Sequence, residues 1–187
     1  TGANMDKGFT LIEILVAITL FALVSVVASG IFINVNNLQQ NTASLERLQS
    51  DGRYILEKMA REIRGRKIDF KGSGISAIKH ETANLVFKPD EQDISAGISW
   101  DSNEKNLMYS VVAGTDQPQS AALNASDIEV TEANFMIQPG DDPETGFFPG
   151  IQPRVTIILK LTNRNASPRY RKELILQTTI SSRFYTR

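Results

Sequence analysis

The sequence of 187 residues contains no cysteine, which excludes disulfide bonds, thiolate metal sites and a cysteine nucleophile. This absence leaves the redox state of the compartment open. Histidine occurs once, at His80, so a histidine-based triad or a multi-histidine metal site cannot form. We interpret His80 as a loop residue.

The chain has little net charge, with a formal value of -1. A general nucleic-acid binder needs a positive field to collect phosphates, so we expect no nucleic-acid partner. One basic cluster needs a separate explanation: Arg61, Arg64, Arg66, Lys67 and Lys71. Cations at the end of a helix complement its dipole without any ligand, and we prefer that interpretation to DNA binding.

Motifs that hold small ligands are also missing. The Gly72-Ser73-Gly74 segment lacks the lysine and the spacing of a phosphate loop, and we interpret it as a turn. Two acidic groups lack the spacing of a calcium loop and are expected to be solvated loop residues: Asp90, Glu91 and Asp93, and Asp141, Asp142 and Glu144. We therefore expect no catalytic residues, no metal and no cofactor.

Charge is scarce in one long N-terminal stretch. Residues 9–33 form a run of 25 residues with a single charge, Glu13, and the next charge is Glu46. A helix of this length can cross a bilayer. A carboxylate at the bilayer centre costs roughly 2.5 to 3.5 kcal/mol, so Glu13 needs a shallow position or a partner. Glu13 is therefore predicted to be functional.

Two ordinary explanations compete for this apolar run. A secretory signal peptide has an apolar region of about 7 to 15 residues followed by a small-residue cleavage site, whereas this run is longer and leads into polar residues 34–37. A plain membrane anchor fits the length but does not require Glu13. Lys7 precedes the run and predicts a cytoplasmic N-terminus.

The segment Lys7-Gly8-Phe9-Thr10-Leu11-Ile12-Glu13 resembles the class III signal of type IV prepilins and type II secretion pseudopilins. The resemblance implies that a prepilin peptidase cuts between Gly8 and Phe9 and that Phe9 is then N-methylated. It also implies that Glu13 neutralises the terminal amine of a neighbouring subunit. In a medium of low dielectric these two groups attract strongly and relieve each other's desolvation. Met5 would then be the natural start.

A helical pattern continues beyond the apolar run. Apolar side chains recur on one face at Leu38, Leu45, Leu48, Ile55, Met59 and Ile63, as in an amphipathic helix. The pattern predicts one helix from Phe9 to about Arg64, with Gly65 as its C-terminal cap. Glu57 and Arg61 are spaced for a favourable pair on its surface.

After residue 65 the pattern changes to short strands. Strands are predicted at 85–87, 98–100, 107–112, 128–137, 154–161 and 174–180, and the last two are expected to form a hairpin whose inner face rests on the helix. The predicted fold is α+β and type IV pilin-like, with a long helix on an antiparallel sheet. The predicted parts are a leader at 1–8, a transmembrane half-helix at 9–33, an amphipathic half-helix at 34–65 and a globular domain at 66–187.

Residues 56–64, 152–157 and 176–183 are similar to the corresponding parts of larger minor pilins and pseudopilins of the W and J types. The resemblance implies a structural subunit without enzymatic activity. Its expected partners are other pilin or pseudopilin subunits, the prepilin peptidase, the inner-membrane assembly platform and, before assembly, membrane lipid.

The implied location is the inner membrane, crossed once with an extracytoplasmic C-terminal domain, and then a pilus or pseudopilus filament. A major pilin remains an alternative identity, as does a membrane-anchored extracytoplasmic binding module or enzyme.

Overall fold

The computed structural model describes residues 9–75, 80–144, 146, 151–166 and 171–183. The chain divides into two compact units, residues 1–43 and 44–187. Helix α1 spans Leu11–Gly65. Its residues up to 43 belong to the first unit, and its residues from 44 onward belong to the second unit. Its bounds confirm the predicted helix to within two residues at each end.

In the described residues of the second unit, eight strands follow the helix: β1 Glu81–Thr82, β2 Asn84–Phe87, β3 Ile94–Asp101, β4 Asn106–Ala113, β5 Gln119–Ala122, β6 Ile128–Gln138, β7 Arg154–Asn163 and β8 Glu173–Ser181. They form two antiparallel sheets. The first sheet has the order β2-β3-β4-β5, and the second has the order β1-β6-β7-β8.

All six strands predicted from the sequence are confirmed, each within a longer strand of the structure. The sequence did not reveal β1, which has two residues, or β5, in which all four residues are exposed and no alternation is present.

One face of the second half of α1 is part of the core. Leu48, Ile55, Met59 and Ile63 are completely buried, which confirms the predicted apolar face from Leu48 onward. The earlier members of the predicted stripe do not share this burial, since Leu45 is 36% exposed and lies at the edge of the second unit. Each completely buried side chain of this size contributes about 1.5 to 3 kcal/mol.

The predicted hairpin is β7 paired with β8. Four alternate residues of β7 are completely buried: Val155, Ile157, Leu159 and Leu161. The hairpin rests on the helix at Gly52, where an added Cβ would overlap Leu176 Cδ1 and come within 3.1 Å of Leu161 Cδ1. The absence of a side chain at Gly52 therefore sets how closely the helix and the second sheet approach.

Two polar side chains connect the sheets. Trp100 Nε1 on β3 donates to the Val130 carbonyl on β6 at 2.8 Å. Asn124 is buried between β5 and β6, where its side chain accepts from Leu107 N at 2.9 Å and donates to the Ile128 carbonyl at 2.7 Å. A long helix packed on antiparallel sheets is the type IV pilin-like α+β fold that the sequence predicted.

Candidate membrane and assembly segment

The first unit exposes nearly all of its apolar surface. None of the described residues before Ala43 is buried, and Phe9 and Leu11 are 78% and 82% exposed. Among the described helices, α1 is long and apolar enough to cross a membrane by length and composition. Apolar side chains facing outward on every side of a helix require lipid or other helices around them.

The polar side chains in this stretch bond to their own helix. The hydroxyls of Thr19, Ser25 and Ser29 donate to carbonyls one turn earlier, each at 2.8 Å. In hydrocarbon an unpaired hydroxyl would cost several kcal/mol. These internal bonds allow the three polar residues to lie in an apolar environment.

The beginning of α1 is fixed by Thr10 and Glu13. Thr10 precedes the first helical residue, and Glu13 N donates to Thr10 Oγ1 at 3.3 Å and to Thr10 O at 3.1 Å. This Thr-x-x-Glu spacing is the capping-box sequence of a helix N-terminus. The Thr-x-x-Glu spacing can be read from the sequence, although Glu13 was predicted only to be an assembly residue. The position gives Glu13 a second role, because a carboxylate in the first turn of a helix is stabilised by about 0.3 to 1 kcal/mol.

Of the predicted site residues, Phe9 and Glu13 lie in the described chain and both are exposed. Only four positions apart, they lie at the same end of α1, and both are accessible to another molecule. Lys7 and Gly8 lie outside the described residues. Cleavage after Gly8 and methylation of Phe9 therefore stay predictions.

Comparison with known families identifies this segment. Residues 3–29 match the family model for the prokaryotic N-terminal methylation motif. The N-terminus carries a pilin-type signal. With the α+β fold, the match supports a prepilin-processed, membrane-anchored protein of the type IV pilin and pseudopilin class. Searches of curated proteins and of solved structures found no significant match to the chain.

The pilin-type signal is separate in sequence from the basic cluster that ends the helix. Three of the five cluster members form ion pairs with nearby carboxylates: Arg61 with Glu57 at 3.9 Å, Arg66 with Glu62 at 3.0 Å and Lys67 with Glu144 at 2.7 Å. The first of these is the surface pair predicted from the sequence. Because much of the positive charge is compensated within the protein, the arrangement favours a structural role for the cluster.

A groove of about 610 Å³ lies beside the cluster, lined by residues 65–67 and 88–92. Its cations also bind protein atoms, since Arg66 Nη1 donates to the Ile94 carbonyl at 2.9 Å and Lys88 Nζ donates to Asp142 at 2.9 Å. Burial would lower the pKa of Lys88, but bonds to Asp142 and Glu144 raise it above its ordinary value. The cations that line the groove, Arg66, Lys67 and Lys88, therefore all have partners within the protein.

Four of the six acidic loop residues, Asp90, Glu91, Asp93 and Glu144, are exposed as predicted, and Asp141 and Asp142 are half-buried. Several of these acids also have partners within the protein. Asp90 Oδ1 accepts from the backbone of Gln92 and Ile94, each at 3.0 Å, which is a turn-stabilising role. Asp142 and Glu144 pair with Lys88. Within the residues that the structure describes, no group of three histidine or acidic side chains is placed to hold a metal ion.

Proposed function

We propose that this protein is a minor pilin or pseudopilin, a structural subunit cut after Gly8 and assembled into a type IV pilus or type II secretion pseudopilus. The match of residues 3–29 to the N-terminal methylation motif carries this proposal. The exposed apolar first unit supports it, because such a surface can exchange lipid for the helices of other subunits. The C-terminal domain then determines the neighbours or position of the subunit in the filament.

Glu13 makes the transfer from lipid to filament selective. After cleavage the α-amine of a neighbouring Phe9 carries a positive charge, and Glu13 carries a negative one. Each charge alone is costly away from water, and in contact each offsets much of the other's desolvation. A subunit that places Glu13 beside a free amine is therefore stabilised, whereas an uncut subunit cannot supply that amine.

The first test replaces Glu13 with Gln, which keeps the size of the side chain and removes the charge. Incorporation into filaments should fall by at least about tenfold, since an amine left without its charged partner costs several kcal/mol. Cleavage and membrane insertion should be unchanged. The measurement is an immunoblot of purified filaments against the processed membrane pool, with Glu46→Gln as the control at the next charge along the helix.

A second control separates assembly from helix capping. Thr10→Ala removes the cap, at a cost of about 1 kcal/mol, and leaves the Glu13 charge in place. If Glu13 acts only by capping the helix, Thr10→Ala should lower incorporation as much as Glu13→Gln does. Equal losses would overturn the proposed pairing with the neighbouring amine.

The competing function is a membrane-anchored binding module or enzyme. Replacing Gly8 with a bulky leucine should block cleavage and assembly of a pilin-like subunit. In an anchored module the same change should leave binding or enzymatic activity at the membrane unchanged, whether or not the leader is removed. Retention of the leader in wild-type protein, in cells that possess the peptidase, would favour the anchored module.

A further inference from the structure

Strand β8 forms an edge of the second sheet and is paired only with β7 along its nine residues. Ser182 N donates to the Pro153 carbonyl at 2.9 Å, so even-numbered residues of β8 direct their backbone groups toward β7. Odd-numbered residues direct theirs outward, and all five of these residues are exposed: Glu173, Ile175, Gln177, Thr179 and Ser181. In the described chain, no other strand pairs with this outer side.

The other sheet edges are shorter or partly covered. β1 has two residues and β5 has four. The outer side of β2 bonds to residues 67–69, through Asp69 N to the Val86 carbonyl and Lys88 N to the Lys67 carbonyl. A long edge strand is a template for pairing with another chain unless proline, a bulge or a cover prevents it. β8 contains neither proline nor glycine, and its pairing with β7 has no bulge.

We propose that β8 pairs with β8 of a second copy of this chain, antiparallel and centred on Gln177. In this register Gln177 lies opposite Gln177 of the partner, Ile175 opposite Thr179, and Glu173 opposite Ser181. Every one of these residues has outward backbone groups, so each opposed pair can exchange two hydrogen bonds. Ile175, which is 67% exposed, would be covered by the partner.

The charges along β8 favour the antiparallel direction. The strand begins with the acid Glu173 and is followed by the base Arg183, and both are exposed. Antiparallel pairing brings Glu173 of one copy diagonally near Arg183 of the other. It also places Arg171 opposite Arg183, although Arg171 is already paired with Glu129 at 3.0 Å within its own copy. Parallel pairing would place Glu173 beside Glu173 and each arginine beside its counterpart, with no opposite charges adjacent. Glu173 also forms an ion pair with Lys160 of β7 at 3.1 Å, on the same face of the sheet.

This contact goes beyond the proposed function and does not depend on it. A two-fold pairing uses the same patch on both copies and closes after two, whereas subunits along a filament are related by a repeated rotation and translation. The proposed pairing is therefore a contact between subunits outside the filament. The β8–β8 contact should therefore persist in a Glu13→Gln variant that no longer assembles into filaments.

The absence of cysteine allows a direct test with full-length protein in detergent. Gln177→Cys places two thiols across the two-fold axis at a Cα separation of about 5.5 Å, within the range of a disulfide. Under mild oxidation it should form a disulfide dimer at least about ten times faster than Gln119→Cys. Gln119 is the matched control, because it is also an exposed glutamine on an edge strand.

A second measurement uses the chain without cysteine. Sedimentation of the wild type should show a dimer that Gln177→Pro converts to a monomer, because the outward N–H of Gln177 is lost while the bonds to β7 are kept. Circular dichroism checks that the variant is folded. The proposal would be overturned by a monomeric wild type or by equal rates of disulfide formation for the two cysteine variants. It would also be overturned if the Gln177→Cys thiol can be labelled but forms no dimer, which is the result expected if a different protein binds this edge.

Discussion

At the scale of single residues, two positions within helix α1 show how one side chain, or the lack of one, has more than one consequence. Glu13 starts the helix with Thr10 through a capping-box spacing and also presents an exposed carboxylate four positions after Phe9. Gly52 acts through the absence of a side chain, because Leu161 and Leu176 pack against the helix at this position. Glycine in a helix interior costs about 1 kcal/mol relative to alanine, and this cost is offset by the close packing that it permits.

Replacing Gly52 with Val should lower the free energy of unfolding by about 2 kcal/mol, because overpacking a core costs about 1 to 3 kcal/mol. Arg53→Val is the control, since Arg53 is exposed on the same helix and the change there should stay within about 0.5 kcal/mol. The fluorescence of Trp100, which is the single tryptophan, reports unfolding by denaturant. Adding Leu176→Ala to Gly52→Val should recover part of the loss, and equal losses at positions 52 and 53 would contradict the packing argument.

At the scale of elements, the end of α1 is joined to the first sheet by charge as well as by apolar packing. Glu62 is 9% exposed and accepts from Lys58 at 2.9 Å and from Arg66 at 3.0 Å. Lys58 also lies 4.5 Å from the centre of the Tyr109 ring on β4. Burial would raise the pKa of Glu62, but Lys58, with Tyr109 and Arg66, holds it below its ordinary value.

The lowered pKa of Glu62 predicts a pH dependence of stability. The stabilising contribution is present above the ordinary value of 4.5 and is lost as the pH falls through the lower folded value, because protonation removes the charge that the cations stabilise. At pH 7, Glu62→Gln should lower the free energy of unfolding by about 2 kcal/mol, since it removes hydrogen bonds to a charged group.

The difference between Glu62→Gln and wild type should shrink as the pH falls below 4.5. Denaturant unfolding at pH 7 and at a pH below that value measures the difference. Glu57→Gln is the control, because its pair with Arg61 is largely exposed and such pairs contribute less than about 1 kcal/mol. A difference that does not depend on pH would show that the Glu62 charge has no stabilising role.

At the scale of the whole molecule, burial is confined to one unit. The buried apolar residues of the described chain run from Leu48 to Ile180, and all of them belong to the unit of residues 44–187. That unit therefore contains the second half of α1, both sheets and the core between them. The unit of residues 1–43 has the composition of a segment that is stabilised by lipid or by other helices.

A fragment of residues 44–187 should fold without the first unit. Its free energy of unfolding should agree within about 1 kcal/mol with that of the full chain in detergent, because no described residue of the removed segment is buried and little apolar burial is lost. Trp100 fluorescence in denaturant measures both. The full chain should remain in the membrane fraction while the fragment is soluble, and a fragment that unfolds without a cooperative transition would contradict this division.

The local sequence was sufficient for the features that depend on neighbouring residues. A long uncharged apolar run, a 3.6-residue pattern after it and alternation in β7 and β8 each predicted their element, because helix and strand periodicity act over a few residues. The pilin-type signal could be recognised for the same reason, since its residues are contiguous. β5 was missed because its exposed residues have no alternating pattern.

Only the tertiary structure decided which distant residues meet. Gly52 faces Leu176 more than one hundred residues away, and Glu62 lies beside Tyr109 on a strand. The open edge of β8 follows from the order of strands in the second sheet, which is set by packing among segments far apart in the chain. The sequence therefore determined which segment is long and apolar enough to cross a membrane, and long-range packing decided which surfaces the folded domain leaves available to a partner.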